Sequence, residues 1–331
     1  MVIPAFRLGG LAAAAIAAML LLSGAARAST KWADLRVVTH TGRTLAEFRQ
    51  YTGTTAVRAS HKADCFGPSN PSSNKRYRLR GANALGVVKD ALASDRDLRP
   101  LLINDAFVDD GFGLGVCVIG DFATEGFSYW YLAHDRVAAS TGPNLIPLHN
   151  GDKVLWYFTS GSESGFPTEL ALRGPARARP GQAFRVKVLE LRPDGSRHPA
   201  AGTTVRAGGK DLGTTDSAGR LEVTLPGSSV LKATRGVDDV PSNRLAVCVK
   251  GHLNRCPDAH GKRILGSAHG DHIVGTAGWD AIRSRRGRDE VDLRSGGRDR
   301  VHCGGGRDRV IVERGDRNDD IGPSCERVVK R

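Results

Sequence analysis

No apolar run long enough to cross a bilayer follows Leu22 in this 331-residue chain. The mature chain is therefore expected to be soluble, without a membrane span. Recognisable catalytic phrases are missing too. There is no nucleophile elbow, no HExxH zinc phrase and no obvious acid–base pair. The glycine-rich GFGLG at 111–115 lacks the strand-to-helix setting of a dinucleotide loop, and reads as a loop into the strand GVCVIG. The expectation is a protein that is not an enzyme. Lysine is sparse beside arginine. That bias, with abundant Ala and Gly, is the mark of a GC-rich genome, so the formal charge of +13 carries little functional weight by itself.

At the N-terminus the chain carries an address. A short basic segment ends at Arg7, an apolar run follows from Leu8 to Leu22, and Ala26-Arg27-Ala28 offers small residues at a cleavage site. Residues 1–28 are read as a secretory signal. Its loss removes Arg7 and Arg27 and takes the charge from +13 to +11. An exported chain meets an oxidising compartment, so disulfides are the default for its cysteines. These are Cys65, Cys117, Cys248, Cys256, Cys303 and Cys325, which follow one another along the chain as three neighbouring pairs. Six thiols leave many pairings open, and nearest-neighbour pairing is the expectation: Cys65–Cys117, Cys248–Cys256 and Cys303–Cys325. Spacing also allows a zinc set of Cys248, His252, Cys256 and His260, although Gly251 and Pro257 interrupt the helix it would need. The protein is expected to be secreted, extracellular or envelope-associated, with an unknown extracellular ligand or a cell-surface polymer as partner.

Three regions follow the signal, and the fold class expected is mainly β with α+β. Residues 31–165 open with LRVVT and close with two further strands, GFSYWYLAHDRVAAS and NGDKVLWYF. Between them ALGVVKDAL places Ala84, Leu85, Val88, Ala91 and Leu92 on one helical face. DCFGPSNPSSNKR reads as a loop tethered by Cys65. Together with Cys117 and the NGD-V-W-Y ending, these segments resemble a β-grasp family of unknown function, itself similar to the C-terminal domain of the cobalamin carriers transcobalamin and intrinsic factor. The resemblance implies a β-grasp fold and, more weakly, a corrinoid-like ligand. Tyr129, Trp130, Tyr131 and Trp156 either face such a flat ligand or fill the core.

Residues 168–249 alternate short strands with turn signals, which argues a small β-sandwich. The phrasing GTTVRAGG, GTTDSAGRLEVTLP and LKATRG resembles bacterial immunoglobulin-like and carboxypeptidase-regulatory-like modules. Asp216 and Gly219 are explained by hairpin chemistry.

Residues 250–331 repeat. Written in nines they read GSAHGDHIV, GTAGWDAIR, SRRGRDEVD, one extra Leu293, then RSGGRDRVH and CGGGRDRVI. Asp271, Asp280, Asp289, Asp299 and Asp308 recur at spacings of 9, 9, 10 and 9. Gly278, Gly287, Gly297 and Gly306 stand two before, with His269 in the first copy. Ile273, Ile282, Val291, Val301 and Val310 stand two after. This G-x-D-x-U period resembles the glycine-rich calcium-binding repeats of RTX (hemolysin-type) proteins. The resemblance implies a parallel β-roll with calcium between copies two apart, giving the pairs Asp271 with Asp289, Asp280 with Asp299, and Asp289 with Asp308.

The leading Gly-Gly is degenerate, and Arg288, Arg298, Arg300, Arg307 and Arg309 flank the aspartates. Two readings stay open. In one, calcium orders the repeat after export, with the first three repeats the better binders because Asp271 and Asp280 have no adjacent arginine. In the other, Asp–Arg pairs and Cys303–Cys325 staple a calcium-free structural coil. Nucleic acid is not expected, since arginines alternate with aspartates and no aromatics are interleaved.

Overall fold

The computed structural model describes residues 30–161, 165–236, 239–249, 261–276, 278–316 and 318–331. The signal segment, Cys256, His252 and His260 lie outside the described residues, and with them the Cys248–Cys256 pair and the zinc alternative. Among the described residues the protein is mainly β, with one α-helix. None of its helices is long and apolar enough to cross a membrane.

In the first region, strand Lys31–Thr39 runs antiparallel to Thr44–Thr52 and parallel to Asp152–Phe158, which pairs antiparallel with Trp130–His134. The first and last strands of the region thus lie side by side at the centre of its sheet. Alternation decides what covers each face. Leu35, Val37, Val154 and Trp156 meet helix Ala84–Ala91, which presents Ala84, Val87, Val88 and Ala91. Val38, Leu155 and Tyr157 point the other way and pack with Val240 of the second region. Asn83 starts the helix, its Oδ1 accepting the Gly86 N–H at 2.8 Å. Cys65–Cys117 ties the Gly/Pro/Ser/Asn loop to strand Gly115–Ile119, as expected.

The second region is a sandwich. One sheet holds Arg197–Pro199, Phe184–Leu191, Thr168–Arg173 and Asp239–Val240, with Arg220–Val223 on the Phe184–Leu191 strand. The other holds Lys210–Thr214, Thr204–Ala207, Ser229–Thr234 and Leu245–Val247. Val186, Val188, Val205 and Leu231 fill the space between. Asp216 closes a tight turn by accepting the Ala218 and Arg220 amides at 2.9 and 2.7 Å.

The third region is a roll of eight short strands. Arg263–Leu265, Ala281–Arg283, Arg300–His302 and Asp320–Ile321 form one sheet, while His272–Val274, Glu290–Asp292, Arg309–Val312 and Arg327–Lys330 form the other. All pair in parallel with the copy two away. Ile273, Ile282, Val291, Val301 and Val310 stack inward, and the extra Leu293 is absorbed into the same core. Cys303–Cys325 closes the C-terminal end.

The glycines two before the aspartates are required by close approach. A Cβ on Gly306 would lie 1.5 Å from the Gly287 carbonyl oxygen, and one on Gly297 would lie 2.0 Å from that of Gly278. Both also have positive φ, 149° and 121°. Gly306→Ala is therefore expected to cost about 2 kcal/mol or more, read as a fall in thermal midpoint. An unchanged midpoint would mean that the turns are looser than these contacts.

The roll does not stand apart. Its first strand pairs in parallel with Thr44–Thr52, setting Arg49 against Ile264 and Gln50 against Leu265. One nine-stranded sheet results, running from the β-grasp edge into the roll. Gln50 Nε2 donates to the carbonyls of Leu265 and Gly266 at 3.3 and 3.1 Å. Tyr51 enters the roll core beside Ile264 and Ile273.

Candidate metal-binding carboxylate ladders

The D-x-U phrase sits where a turn enters a strand, so the aspartate and the aliphatic point in and the residue between points out. Asp271, Asp280, Asp289, Asp299 and Asp308 are accordingly 0–3% exposed. They form two ladders, one along each edge. On one edge, the Asp271 amide donates to Asp289 Oδ1 at 2.8 Å and the Asp289 amide to Asp308 Oδ1 at 2.9 Å. The Asp308 amide in turn donates to Glu326 Oε2 at 2.8 Å. On the other, the Lys262 amide donates to Asp280 at 2.6 Å, Asp280 to Asp299 at 2.9 Å and Asp299 to Asp319 at 2.9 Å. The three pairs expected from the sequence are thus brought together, each through one carboxylate oxygen.

The second oxygen divides the ladders. Asp271 and Asp280 spend theirs at home, accepting from the amide and hydroxyl of Ser267 and of Thr276. Copies further along lack that hydroxyl four residues upstream of the aspartate or do not aim it there. Asp289, Asp299, Asp308 and Asp319 each keep a buried Oδ2 without a hydrogen-bond partner. Of the three repeats that the sequence favoured, the third keeps a spare oxygen, on Asp289, and the other spare oxygens lie further along the chain.

The flanking arginines do not neutralise these groups. Among the described residues none of the ladder aspartates has a basic side chain within ion-pair distance, and Arg300 and Arg309 pair instead with Asp320 and Glu290. Strand alternation turns them outward, so these two arginines staple neighbouring coils through Asp320 and Glu290 rather than through the ladder aspartates, beside the Cys303–Cys325 tie. Burial pushes the Asp289 carboxyl up to about 7, with Asp271 and Asp308 adding like charge. Burial likewise pushes Asp299 up to about 8, reinforced by Asp280, Asp319 and Asp316. Asp308 and Asp319 shift upward for the same first reason.

Asp319 and Glu326 were missed in the sequence because neither has a glycine two before it. A search for Asp or Glu followed two later by an aliphatic would have found both, with Ile321 and Val328 as the partners. The aromatic residues of the first region have a plain role. Trp130 and Trp156 lie in the core under the helix, and Tyr131, with Tyr129 at its margin, lies in the core against the sandwich. They present no stacking surface for a flat ligand.

A separate donor group joins His134, Asp135 and Asp152. His134 Nε2 lies 2.8 Å from Asp152 Oδ2, which also accepts the His149 amide at 2.8 Å, and Asp135 Oδ1 accepts the Lys153 amide at 2.8 Å. These bonds fix two adjacent turns and hold Arg136 and Lys153 in place. Comparison with known proteins finds no matching family model, no matching curated protein and no matching solved structure.

Proposed function

We propose that the chain is an exported, non-enzymatic binding protein of three fused modules whose C-terminal roll is completed by calcium. One observation carries the reading: four carboxylate oxygens, on Asp289, Asp299, Asp308 and Asp319, are buried in two rows without hydrogen-bond partners, and among the described residues no basic side chain lies within ion-pair distance of these aspartates. A buried carboxylate without a partner is costly. It is relieved by a proton or by a cation, and an all-oxygen anionic setting suits a hard divalent cation. Calcium would supply neutralising charge to the stacked copies, and Asp289, Asp299, Asp308 and Asp319 would hold it. Binding to the folded state alone would stabilise the roll where calcium is abundant, outside the cell. The two disulfides found suit the same compartment.

The rival is a calcium-free structural coil. It is favoured by the completeness of the N–H to Oδ1 ladder without any ion. Asp299→Asn with Asp308→Asn separates the two readings, because asparagine keeps the accepting Oδ1 and loses the charge. Calcium should raise the thermal midpoint of the full mature chain, and the double variant should lose most of that rise. If calcium binding by calorimetry is absent and the variant simply melts higher, the coil is structural.

A further inference from the structure

A cleft of about 1120 Å³ opens where the three modules meet. Its walls come from strands Lys31–Thr39 and Thr44–Thr52, from the sandwich around Arg173, Lys232 and Arg244, and from the first coils of the roll around Lys262 and Trp279. Four acidic side chains line it, Asp34, Glu47, Asp95 and Glu169, and each is already engaged. Arg36 pairs with Glu169 at 3.1 Å, Lys262 with Asp34 at 2.7 Å, and Arg263 with Asp95 at 3.0 Å. Arg49 shares Asp34 at 3.5 Å, and Lys232 reaches Glu47 at 4.0 Å.

Four further cations remain: Arg136, Lys153, Arg173 and Arg244 line the same cleft. Among the described residues none of them has a carboxylate within ion-pair distance, so the cleft carries an excess of positive charge that the fold does not use. Arg136 shows this most clearly. Burial lowers its pKa, and Arg197, Arg173 and Arg36 add like-charge pressure that Glu169 only partly offsets. It also occupies a left-handed conformation, φ 73°, in the two-residue turn with Asp135, φ 47°. Such turns favour Asn-Gly, so an arginine there is held at a cost. Arg36 Nε, also on the cleft, is buried without a hydrogen-bond partner, as are the cleft acceptors Asp34 Oδ1 and Glu47 Oε2. Trp279, half-buried on the roll wall, offers an aromatic surface whose neighbour is the Arg298 guanidinium at 5.2 Å.

We propose that this inter-module cleft binds an anionic glycan chain, its carboxylates or sulfates taken by Arg136, Arg173, Arg244 and Lys153 and a sugar ring lying against Trp279. The open shape and the spread of the four cations over two modules, with Trp279 on the third, suit an extended chain with repeated charges rather than one small anion. The site goes beyond the calcium reading and stands independently of it, because its four unpaired cations lie outside the roll.

The test is binding of the full mature chain to a size-defined hyaluronan oligosaccharide and to heparin oligosaccharide, each with calcium and with chelator. Inorganic polyphosphate serves as a sugar-free polyanion. Arg136→Gly suits the left-handed turn and removes the charge. It is expected to leave the thermal midpoint equal or higher and to weaken glycan binding about tenfold, the worth of one charge-assisted contact. Arg173→Ala should add to that loss, and Trp279→Ala should weaken the glycans more than polyphosphate. Arg307→Ala with Arg314→Ala removes charge from the exposed roll surface and should change binding less than twofold.

Equal losses in the cleft and surface variants would overturn the proposal in favour of unspecific charge attraction. Polyphosphate binding as tight as the glycans, with no effect of Trp279→Ala, would overturn the glycan assignment. A calcium-insensitive affinity that still falls in Arg136→Gly would support the cleft as a site separate from the ladders of the roll.

Discussion

In the presence of chelator, the thermal midpoint of the mature chain is expected to fall as pH rises from about 4 to about 8, and calcium is expected to remove most of that fall. Asp289 and Asp299 are raised from the ordinary carboxylate value of 3.8 to about 7 and about 8. Between those limits the folded chain holds protons that the unfolded chain has released. Stability then decreases with rising pH, by at most about 1.4 kcal/mol per pH unit for each carboxylate, and levels off above the folded values. Asp308 and Asp319 shift in the same direction and steepen the fall.

The lowered carboxylates, Asp105, Asp152, Glu190 and Asp292, act with the opposite sign. Their contribution is lost only as pH drops through their depressed folded values, so they do not mask the window. Asp90 is also raised by burial but lies against Thr52 and the helix, away from the ladders, and should leave a residual slope that calcium does not touch. A cation displaces the protons from the ladders and pins their carboxylates in the ionised form, which is why it should flatten the curve. Differential scanning calorimetry at pH 5, 6, 7 and 8 settles the matter. A flat or rising midpoint in chelator would mean that the ladder carboxylates are better solvated than their burial requires.

Much of the roll was legible because its determinants are local and repeated. Glycine, aspartate and aliphatic recur at fixed offsets, and each has one physical job: close approach, capping of a backbone N–H, and core stacking. Pairing two copies apart was what the resemblance to RTX repeats implied, and the ladders join Asp271 with Asp289 and Asp280 with Asp299. The role of the arginines was misjudged from adjacency in sequence. Neighbours on a strand face opposite ways, so Arg300 is the residue least able to reach Asp299 or Val301 on the inner side.

What stayed hidden was non-local. Nothing in Arg49-Gln50 announces a partner at Ile264-Leu265, more than 200 residues later. The cleft was equally invisible, because Arg136, Arg173 and Arg244 sit in unremarkable sequence and come together only where the first two modules meet beside the roll. The sandwich has a core of its own, yet Val240 packs with the first region, Leu265 and Tyr51 cross between the first region and the roll, and one sheet runs from the first region to the third. A fragment of residues 250–331 would therefore begin with an unpaired edge, and binding measurements belong on the whole chain.

Tyr51→Ala is expected to loosen the roll as a unit. Stacked coils contact only their neighbours, so an end needs a cap that buries the first layer and satisfies its edge. Strand Thr44–Thr52 supplies both, through pairing at Arg49 and Gln50 and through the Tyr51 ring against Ile264 and Ile273. The ring is 2% exposed, and burial pushes its hydroxyl up to about 12 against a hydrogen bond with the Val274 backbone. Replacement by alanine leaves a void at the junction and should cost about 3–5 kcal/mol. Tyr51→Phe keeps the ring and should cost about 1 kcal/mol, the scale of one hydrogen bond.

The distinguishing readout is hydrogen exchange followed along the chain. In Tyr51→Ala, protection should fall throughout residues 263–312 while the sandwich strands Phe184–Leu191 and Ser229–Thr234 keep theirs, because the sandwich core shares no residue with the roll. Calcium, if it fills the ladders, should restore part of that protection from the inside. Exchange that rises only in residues 31–52 would show that the roll holds its own first coil. The β-grasp sheet would then be a neighbour of the roll rather than its cap.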